Sequence, residues 1–547
     1  MPGRLRLRPP RGPLRHRRRS AGPGRRAGAD PGAHRVAERR SRSRGHPGRP
    51  GRGPGLGPGR IPTPVSSADG RPGPPGKGRP TVAVVGAGVT GLAAAWELAA
   101  HPPPGEPAPR VVVLEAGARP GGKIVAAELG GGPVDGGADA FVARAPAGVE
   151  LCRELGLDGE LQAPAANRAL VWTRGRLRPL PQGLVLGVPS DLVGLARSGA
   201  VSARGLARAA LDLVLPPTAI PAGGDMAVGA LVAARFGREV QERVVDPLLG
   251  GIHAGRSERL SLAATAPQLA AALARHRSLL VGLRREGAPQ PGAGPVFLSL
   301  AGGLDRLVTR LVGELRARGV ELRPACPVQA LERSPDGRGW TLRTPGGTVA
   351  ADAVVVAVPA PVAAGLIGAV APSAAAELAA IEHASVALVL LAYAAGDVGR
   401  PLDGSGFLVP RVDGRLMTAC SWYTSKWPGR RPAGEVVLRV SVGRWGQDPM
   451  ALGDTEIVAR VGRELTQAMG IAAPPAASAV MRWPEAFPQY TVGHLDRVAR
   501  IEVGVAAVPG LGLAGAALRG VGVPACIEQG RQAARRVQAQ LAPAGAA

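Results

Sequence analysis

The chain has 547 residues and a formal net charge of +26, a balance typical of nucleic-acid-binding proteins. The charge is concentrated at one end: residues 1–80 carry 21 basic and 3 acidic side chains, whereas residues 81–547 carry 46 and 38. Glycine and proline make up 33 of the first 80 residues, so this segment cannot bury enough apolar surface to fold. We predict a disordered basic extension over 1–80 and a folded body that binds no nucleic acid.

The cysteine spacing and the hydropathy exclude several other classes of protein. The four cysteines lie far apart and no CxxC occurs, which argues against a disulfide framework and against a zinc site. The sequence contains no run of 18 apolar, uncharged residues, so no transmembrane helix is predicted. The arginines at 17–19 are followed by no apolar segment of the kind that an export signal requires. We therefore expect a cytoplasmic protein without a metal.

The folded body begins with a pattern typical of a βαβ unit. Residues 81–85 form a β-branched apolar run that predicts a buried strand, and a glycine turn, a helix over 92–100 and a strand over 110–114 follow. Further helices are predicted over 146–157, 302–316 and about 525–541, and over most of 189–285. Further strands are predicted within 320–340 (a strand and a hairpin), 353–358, 384–393, 406–420, 435–442 and 511–514, of which those between 384 and 442 form a mainly antiparallel sheet.

The glycine turn after the first strand provides the strongest local signal for function. Residues 86–91 read Gly-Ala-Gly-Val-Thr-Gly and join the first strand directly to the first helix. Gly86 allows the tight turn, Gly88 lets a pyrophosphate approach the backbone, and Gly91 lets the helix pack on the strand. Glu115 ends the second strand, where a carboxylate can hold the ribose hydroxyls of a dinucleotide. Together these features predict a dinucleotide-binding site.

Further glycine-rich segments favour FAD over NAD as that dinucleotide. Residues 119–123 read Arg-Pro-Gly-Gly-Lys, residues 134–139 read Val-Asp-Gly-Gly-Ala-Asp, and two glycine motifs follow at 510–515 and 519–524. These segments resemble the flavin-dependent amine oxidase superfamily, in which they surround FAD. The resemblance implies non-covalent contacts to FAD from Gly86, Ala87, Gly88, Val89, Thr90, Gly91, Glu115, Ala116, Arg119, Gly121, Gly122, Lys123, Gly136, Gly137, Ala138, Val328, Gly515, Gly522 and Val523.

Motifs along the whole of 81–541 narrow the resemblance further, and they occur in matching order. They resemble the protoporphyrinogen/coproporphyrinogen oxidase family, and the extension over 1–80 lies outside this resemblance. The motifs are Pro-Leu-Leu-Gly-Gly-Ile-His-Ala-Gly at 247–255, Ala-Gly-Gly-Leu at 301–304, Ser-Lys-Trp-Pro at 425–428, the segment from Trp-Pro to Gly-His at 483–494, and the closing motif at 519–527.

The resemblance implies oxidation of a porphyrinogen to a porphyrin in haem biosynthesis, with six electrons passing through the flavin to oxygen and release of hydrogen peroxide. The GC-rich bacterial character of the sequence favours coproporphyrinogen III, and protoporphyrinogen IX is the alternative. Asp139 and Arg144 are the candidate substrate-positioning residues, since arginine suits a propionate and Asp139 could face the flavin. Their alternatives are a turn cap and a solvated arginine. Hand-over of product to a ferrochelatase and a peripheral contact with a membrane are also consistent with the family.

We predict an α/β fold in three parts. A Rossmann-like, doubly wound FAD-binding domain is accompanied by a mixed-sheet substrate-binding domain and a helical subdomain. The predicted boundaries are 81–165, 297–365 and 495–541 for the first, 166–180, 285–296 and 366–494 for the second, and 181–284 for the third.

Other functions on the same fold stay open at this stage. An amine oxidase requires an aromatic cage before the flavin, and the whole chain has only 15 Phe, Trp and Tyr residues. A carotenoid desaturase requires a wide apolar channel and would not need the motifs around Lys426 or Tyr490. Cys526 lies close to the closing motif, but covalent flavin attachment is not a property of the porphyrinogen oxidases. A basic nucleic-acid- or membrane-binding protein is the non-enzymatic alternative.

Overall fold

The computed structural model describes residues 79–166, 168–221, 223–286 and 294–541, and the disorder predicted for 1–80 concerns residues almost entirely outside this part of the chain. The described residues form a parallel sheet, a large mixed sheet and a group of helices, each with its own apolar core. This architecture confirms the predicted α/β fold class, while the predicted domain boundaries stay predictions.

The parallel sheet is covered by helices on both faces because its strands are short apolar runs. Alternate side chains of a strand point to opposite faces, so Val84 and Val85 enter different cores. Val84 shares its core with helices Val89–Ala100 and Val523–Leu541, and Val85 shares its core with helix Ala360–Ile367. All neighbouring strands run parallel. Their order across the sheet is Glu321–Arg323, Arg110–Leu114, Thr81–Val85, Ala353–Val356 and Leu511–Leu513.

The large mixed sheet has seven strands and is mainly antiparallel. Strands Gly406–Leu408 and Ala169–Thr173 are its one parallel pair within the described residues. Helix Asp454–Met469 packs on one face through Ile457, Val461 and Leu465. The order across the sheet is Ala477–Pro488, His383–Ala394, Glu435–Val442, Met417–Trp422, Gly406–Leu408, Ala169–Thr173 and Arg176–Pro179.

The region over residues 192–286 is helical and has a separate aliphatic core. Leu231, Val244 and Leu269 are fully buried in it, as expected for amphipathic helices that turn one face inward. Its α-helices are Leu192–Ser198, Ala203–Ala210, Val228–Phe236, Arg238–Val240, Asp246–His253, Leu262–Thr265, Pro267–Arg275 and Leu279–Glu286, with a π-helical turn at Gln241–Val245 and a 3₁₀ turn at Leu211–Leu213.

Smaller elements complete the described chain. Three-stranded sheets are formed by Ala330–Arg333, Trp340–Thr344 and Gly347–Ala351 and by Phe141–Val142, Phe297–Leu300 and Leu161–Gln162, and hairpins by Ala126–Glu128 with Pro133–Asp135 and by Leu184–Val185 with Val188–Pro189. The other α-helices are Pro146–Glu154, Asp305–Ala317, Pro372–Ala379, Tyr423–Lys426 and His494–Ala506, and 3₁₀ turns occur at Asp158–Glu160, Ala395–Asp397 and Arg411–Asp413.

Most predicted elements are present, with differences at their ends. The first helix begins at Val89 rather than at 92, because Gly88 is its N-cap and the motif itself enters the helix. Within 320–340, the strand Glu321–Arg323 joins the edge of the parallel sheet and only the following hairpin is antiparallel. In the part of the chain that the structure describes, no helix is both long and apolar enough to cross a membrane.

Candidate active site

A cavity of about 1260 Å³ lies where the two large sheets and the helical region meet. Val85 and Leu114 line it at the carboxyl ends of neighbouring parallel strands, the usual place for a ligand in such sheets. Leu388 lines it from the mixed sheet, and Pro247 lines it from the helical region. Ligand pockets usually measure about 300–1,000 Å³, so this cavity has room for a cofactor and a second molecule.

The glycine turn forms one wall of the cavity and leaves its backbone accessible. A Cβ atom at Gly88 would meet no atom within 4 Å, whereas a Cβ atom at Gly91 would lie 1.9 Å from the carbonyl oxygen of Gly86. Gly91 therefore permits the contact between helix and strand, and Gly88 leaves open space for a ligand. The first backbone bond of the helix runs from Leu92 N–H to Gly88 C=O (2.9 Å), so the amides of the turn before Leu92 have no partner within the helix and could bind an anion.

Glu115 is fixed at the end of the second parallel strand. Its Oε2 accepts from the amide of Ala87 (2.7 Å) and its Oε1 from the amide of Gly117 (2.7 Å). The carboxylate thus connects the glycine turn to the next loop and also lines the cavity. Lys123 lines the cavity from the same loop, and burial lowers the pKa of its ammonium group.

The closing glycine motif is held against the cavity by an aromatic pair. The Tyr490 ring stacks on the His494 ring with their centroids 3.9 Å apart. The Tyr490 hydroxyl donates to the carbonyl of Ala516 (2.6 Å) and accepts from the amide of Gly520 (2.8 Å). His494 Nε2 lies 2.8 Å from the carbonyl of Leu518. These two motif residues therefore have a structural role: they fix the segment that follows the last parallel strand.

Asp139 is the centre of a cluster of cations in the cavity wall. Its Oδ2 lies 2.8 Å from Lys426 Nζ and 2.8 Å from Arg439 Nη1, and it accepts from Trp427 Nε1 (3.2 Å). Although burial opposes ionisation, Arg439 and Lys426 hold the pKa of Asp139 well below its ordinary value. The carboxylate is therefore ionised at neutral pH and aligns both cations, which also line the cavity.

Asp135 forms a second buried cluster next to the first. It accepts from the amide of Leu304 (2.9 Å), the hydroxyl of Tyr423 (3.1 Å) and Nη1 of Arg430 (2.9 Å). Burial raises the pKa of Asp135, and the negative charge of Asp139 acts in the same direction. Asp135 does not line the cavity, so this cluster supports the loop that carries Asp139.

A comparison with known protein families identifies the family of this chain. Residues 89–538 match the family described as flavin containing amine oxidoreductase. The chain belongs to that family. As a family member it is an oxidoreductase that uses a flavin.

Individual relatives confirm the narrower resemblance seen in the sequence. A coproporphyrinogen III oxidase of Bacillus subtilis is 34% identical over 473 residues, which covers 83% of this chain and 97% of that protein. Its counterpart of the same name in Mycobacterium bovis is 39% identical over 447 residues, covering 81% and 94%. A crystal structure of a putative protoporphyrinogen oxidase from Exiguobacterium is 31% identical, with a TM-score of 0.76 over 85% of this chain and all of that one.

Most of the residues that the sequence predicts for cofactor contact lie in the lining of this flavoprotein's cavity. They are Gly86, Gly88, Val89, Thr90, Glu115, Ala116, Arg119, Gly121, Gly122, Lys123, Gly137, Ala138, Val328, Gly515, Gly522 and Val523, together with Asp139. Ala87, Gly91 and Gly136 lie behind the lining and do not form part of it.

The structure corrects the expectation for Arg144. This arginine is exposed and does not line the cavity. It follows the short strand Phe141–Val142, which pairs with Phe297–Leu300. A count of residues from Asp139 could not reveal that this strand separates Arg144 from the lining.

Two lining arginines in the mixed sheet were missed by sequence reasoning. Arg439 lies in the middle of the strand Glu435–Val442 and is 6% exposed. A charged residue inside an apolar strand run is a signal of a paired buried group and could have identified it. Arg444 follows the same strand and is also 6% exposed. No local pattern distinguishes it from a loop arginine.

Proposed function

We propose that the flavin is FAD, bound without a covalent bond, and that the enzyme oxidises coproporphyrinogen III to coproporphyrin III. The glycine turn, the helix N-terminus and Glu115 suit the pyrophosphate and the adenosine ribose of FAD. The open space over Gly88 is the single observation that supports the cradle most directly, because a side chain there would fill it. The names of the relatives support the substrate.

The proposed reaction balances with oxygen as the acceptor. Coproporphyrinogen III loses six electrons and six protons, and three oxygen molecules take them up to form three molecules of hydrogen peroxide. Bound FAD supplies two-electron acceptance from carbon and the return of those electrons to oxygen. The chain's own contribution is then to orient the macrocycle, exclude bulk water and place charge around the reacting atoms.

Asp139 is the proposed positioning residue for the cations beside the flavin. Its permanent charge excludes a role as a proton donor at neutral pH, since its pKa lies far below neutrality. Instead it holds the ammonium of Lys426 and the guanidinium of Arg439 at fixed points of the cavity wall. Cations fixed there favour negative charge on whatever they face, either a reduced flavin ring or a substrate carboxylate.

Protoporphyrinogen IX oxidation is the second candidate, favoured by the likeness to the Exiguobacterium protein, which is named for that activity. An amine oxidase finds less support. Among the described residues, Trp483 and Phe487 are the only Phe, Trp or Tyr residues in the cavity lining. That is too few for an aromatic cage around an amine. The buried cations of the wall suit carboxylates better than they suit an ammonium substrate.

The cellular setting forms part of the proposal. A cytoplasmic enzyme would hand its porphyrin product to a ferrochelatase. Leu211, Leu213 and Val214 are exposed at 46%, 46% and 63% in the helical region, which supports a peripheral contact with a membrane surface.

Stoichiometry tests the proposed reaction. FAD-loaded protein is mixed with coproporphyrinogen III, and porphyrin fluorescence, oxygen uptake and peroxide release are followed together. We expect three oxygen molecules consumed and three peroxide molecules formed per porphyrin. Protein that binds FAD but forms no porphyrin above the spontaneous rate would refute the porphyrinogen assignment and leave the flavin assignment standing.

A further inference from the structure

Arg444 differs from Lys426 and Arg439, the two cations that line the cavity beside Asp139, in having no acidic partner. Lys426 and Arg439 both pair with Asp139, whereas Arg444 forms no salt bridge with any described residue. Its Nε donates to Gln447 Oε1 (2.7 Å) and its Nη2 to the carbonyl of Arg415 (3.4 Å). Its Nη1 forms no hydrogen bond within the described residues, so it is free to donate to a ligand in the cavity that Arg444 lines.

Backbone hydrogen bonds fix the turn that carries Arg444. Arg444 N–H donates to the carbonyl of Gln447 (3.2 Å), and Gln447 N–H donates to the carbonyl of Arg444 (2.7 Å). The next amide, that of Trp445, donates to the carbonyl of Ala254 (2.6 Å) in the helical region. A turn fixed on two sides loses little further freedom when the guanidinium binds a ligand.

Two more arginines, Arg411 and Arg256, act electrostatically on Arg444 and also form no salt bridge with a described residue. Nε and Nη1 of Arg411 and Nε of Arg256 are buried without a hydrogen-bond partner among the described residues. Three carboxylates face this group without forming a salt bridge to Arg444, and one of them, Asp246, also lines the cavity. Asp246 Oδ1 accepts from the amide (2.9 Å) and hydroxyl (2.9 Å) of Ser257. Glu258 accepts from Gln241, and Glu464 accepts from the amides of 416 and 417.

Charges of both signs therefore surround Arg444, but none of these carboxylates forms a salt bridge with it. Burial lowers the pKa of Arg444 to about 10; Arg411 and Arg256 act in the same direction, and Asp246 and Glu464 act against it. The group still carries its full charge at neutral pH. A buried guanidinium without an ion pair is costly unless an anion completes its hydrogen bonds.

We propose that Arg444, with Arg411 and Arg256 behind it, is a carboxylate subsite that receives a propionate of the porphyrinogen. Arg444 lines the cavity together with Pro247 and Ser441, on walls that belong to the helical region and the mixed sheet and not to the glycine-rich flavin side. Guanidinium groups bind carboxylates with two parallel hydrogen bonds, which fixes orientation as well as position. The subsite rests on the proposed function, since it takes its ligand from the proposed substrate.

Arg444→Gln tests the subsite, with Arg460→Gln as the matched control. Arg460 is an exposed arginine that pairs with Glu456 on helix Asp454–Met469. For Arg444→Gln we expect the KM for coproporphyrinogen III to rise about tenfold or more with a smaller change in kcat, and Arg460→Gln to match the wild type. Arg444→Lys should recover only part of the loss, because an ammonium cannot form the paired bonds. An unchanged KM in Arg444→Gln overturns the subsite.

Direct binding separates failure of the subsite from failure of the proposed function. Titration with coproporphyrin III, followed by porphyrin absorbance, needs no turnover, and its tetramethyl ester lacks the carboxylates. We expect wild-type protein to bind the acid at least about tenfold more tightly than the ester, and Arg444→Gln to lose this preference. Equal preference in both proteins overturns the subsite, whatever the turnover result. If Arg444→Gln does not fold, Arg411→Gln is measured in the same way, since two of its nitrogens have no partner to lose.

Discussion

Lys426 Nζ lies 2.8 Å from Asp139 Oδ2, although 287 residues separate the two in the chain. Lys426 ends the short helix Tyr423–Lys426, and Asp139 closes the second glycine-rich loop. The ion pair therefore joins the mixed-sheet region to the glycine-rich region at the cavity wall. Arg439 completes the pair from a neighbouring strand, so that one carboxylate aligns two cations.

Removing the Asp139 charge should lower the stability of the protein. Asp139→Asn leaves Lys426 and Arg439 without a carboxylate in a largely buried site, and we expect a loss of about 3 kcal/mol in the free energy of unfolding. The double variant Asp139→Asn/Lys426→Met should lose about 1 kcal/mol less in the free energy of unfolding than the sum of the losses of the two single variants. Urea unfolding of the FAD-loaded variants measures both quantities. The exposed pair Glu456–Arg460 is the control, with an expected coupling energy below about 0.5 kcal/mol. Additive losses for Asp139→Asn and Lys426→Met would contradict a stabilising ion pair between these two residues.

Two glycines of one motif should respond differently to substitution. Gly88 has ordinary extended backbone angles and open space where a Cβ atom would lie, so Gly88→Val should fold normally and lose FAD. Gly91→Ala forces a Cβ atom against the Gly86 carbonyl, and we expect it to destabilise the apoprotein by about 3 kcal/mol. Flavin absorbance per chain and thermal unfolding of the apoprotein distinguish the two effects. Retention of FAD by Gly88→Val at wild-type affinity argues against the proposed cradle.

The Tyr490 hydroxyl should contribute to both stability and flavin binding. Tyr490→Phe removes the bonds to Ala516 and Gly520, at an expected cost of about 1–3 kcal/mol, and loosens the segment that follows the last parallel strand. FAD dissociation should become several-fold faster. Tyr393→Phe is the matched control, since Tyr393 is a buried residue whose hydroxyl forms no hydrogen bond with the described residues. Equal effects of the two substitutions would show that the bridge has no special role.

Mild acid should destabilise the protein through His253. Burial lowers the pKa of His253 from 6.5 to about 4. The unfolded chain therefore takes up a proton that the folded chain excludes, and stability falls as the pH drops from 6.5 towards 4. The loss attributable to this histidine is roughly 3 kcal/mol over that window. Urea unfolding at pH 6.5 and pH 4 should show a smaller loss in the free energy of unfolding for His253→Gln than for the wild type. Substitution of the exposed His101 by Gln is the control and should lose as much stability as the wild type. A loss in His253→Gln equal to that of the wild type rules out His253 as the origin.

The glycine-rich wall of the cavity could be predicted because its residues are contiguous. The turn at 86–91 and the acidic residue Glu115 fall within one βαβ unit, where glycines and a single carboxylate carry their own physical explanation. The strands that build this unit are apolar runs with clear ends, and two of them, 81–85 and 110–114, agree with the structure at every residue.

The substrate side could not be predicted in the same way because it depends on pairing across the mixed sheet. Arg439 reaches Asp139 only because the strand Glu435–Val442 lies between His383–Ala394 and Met417–Trp422, a register that no local pattern reveals. Arg144 illustrates the reverse case. It lies five residues after Asp139 in sequence, yet its side chain is exposed and away from the cavity.

The central claim is tested most directly by measuring kcat/KM for coproporphyrinogen III and protoporphyrinogen IX side by side. Purified protein loaded with FAD is assayed in air, with porphyrin fluorescence as the readout and the spontaneous oxidation of each substrate subtracted. The account predicts turnover of coproporphyrinogen III with the higher kcat/KM of the two. A higher value for protoporphyrinogen IX, or flavin-loaded protein that oxidises neither, would contradict it.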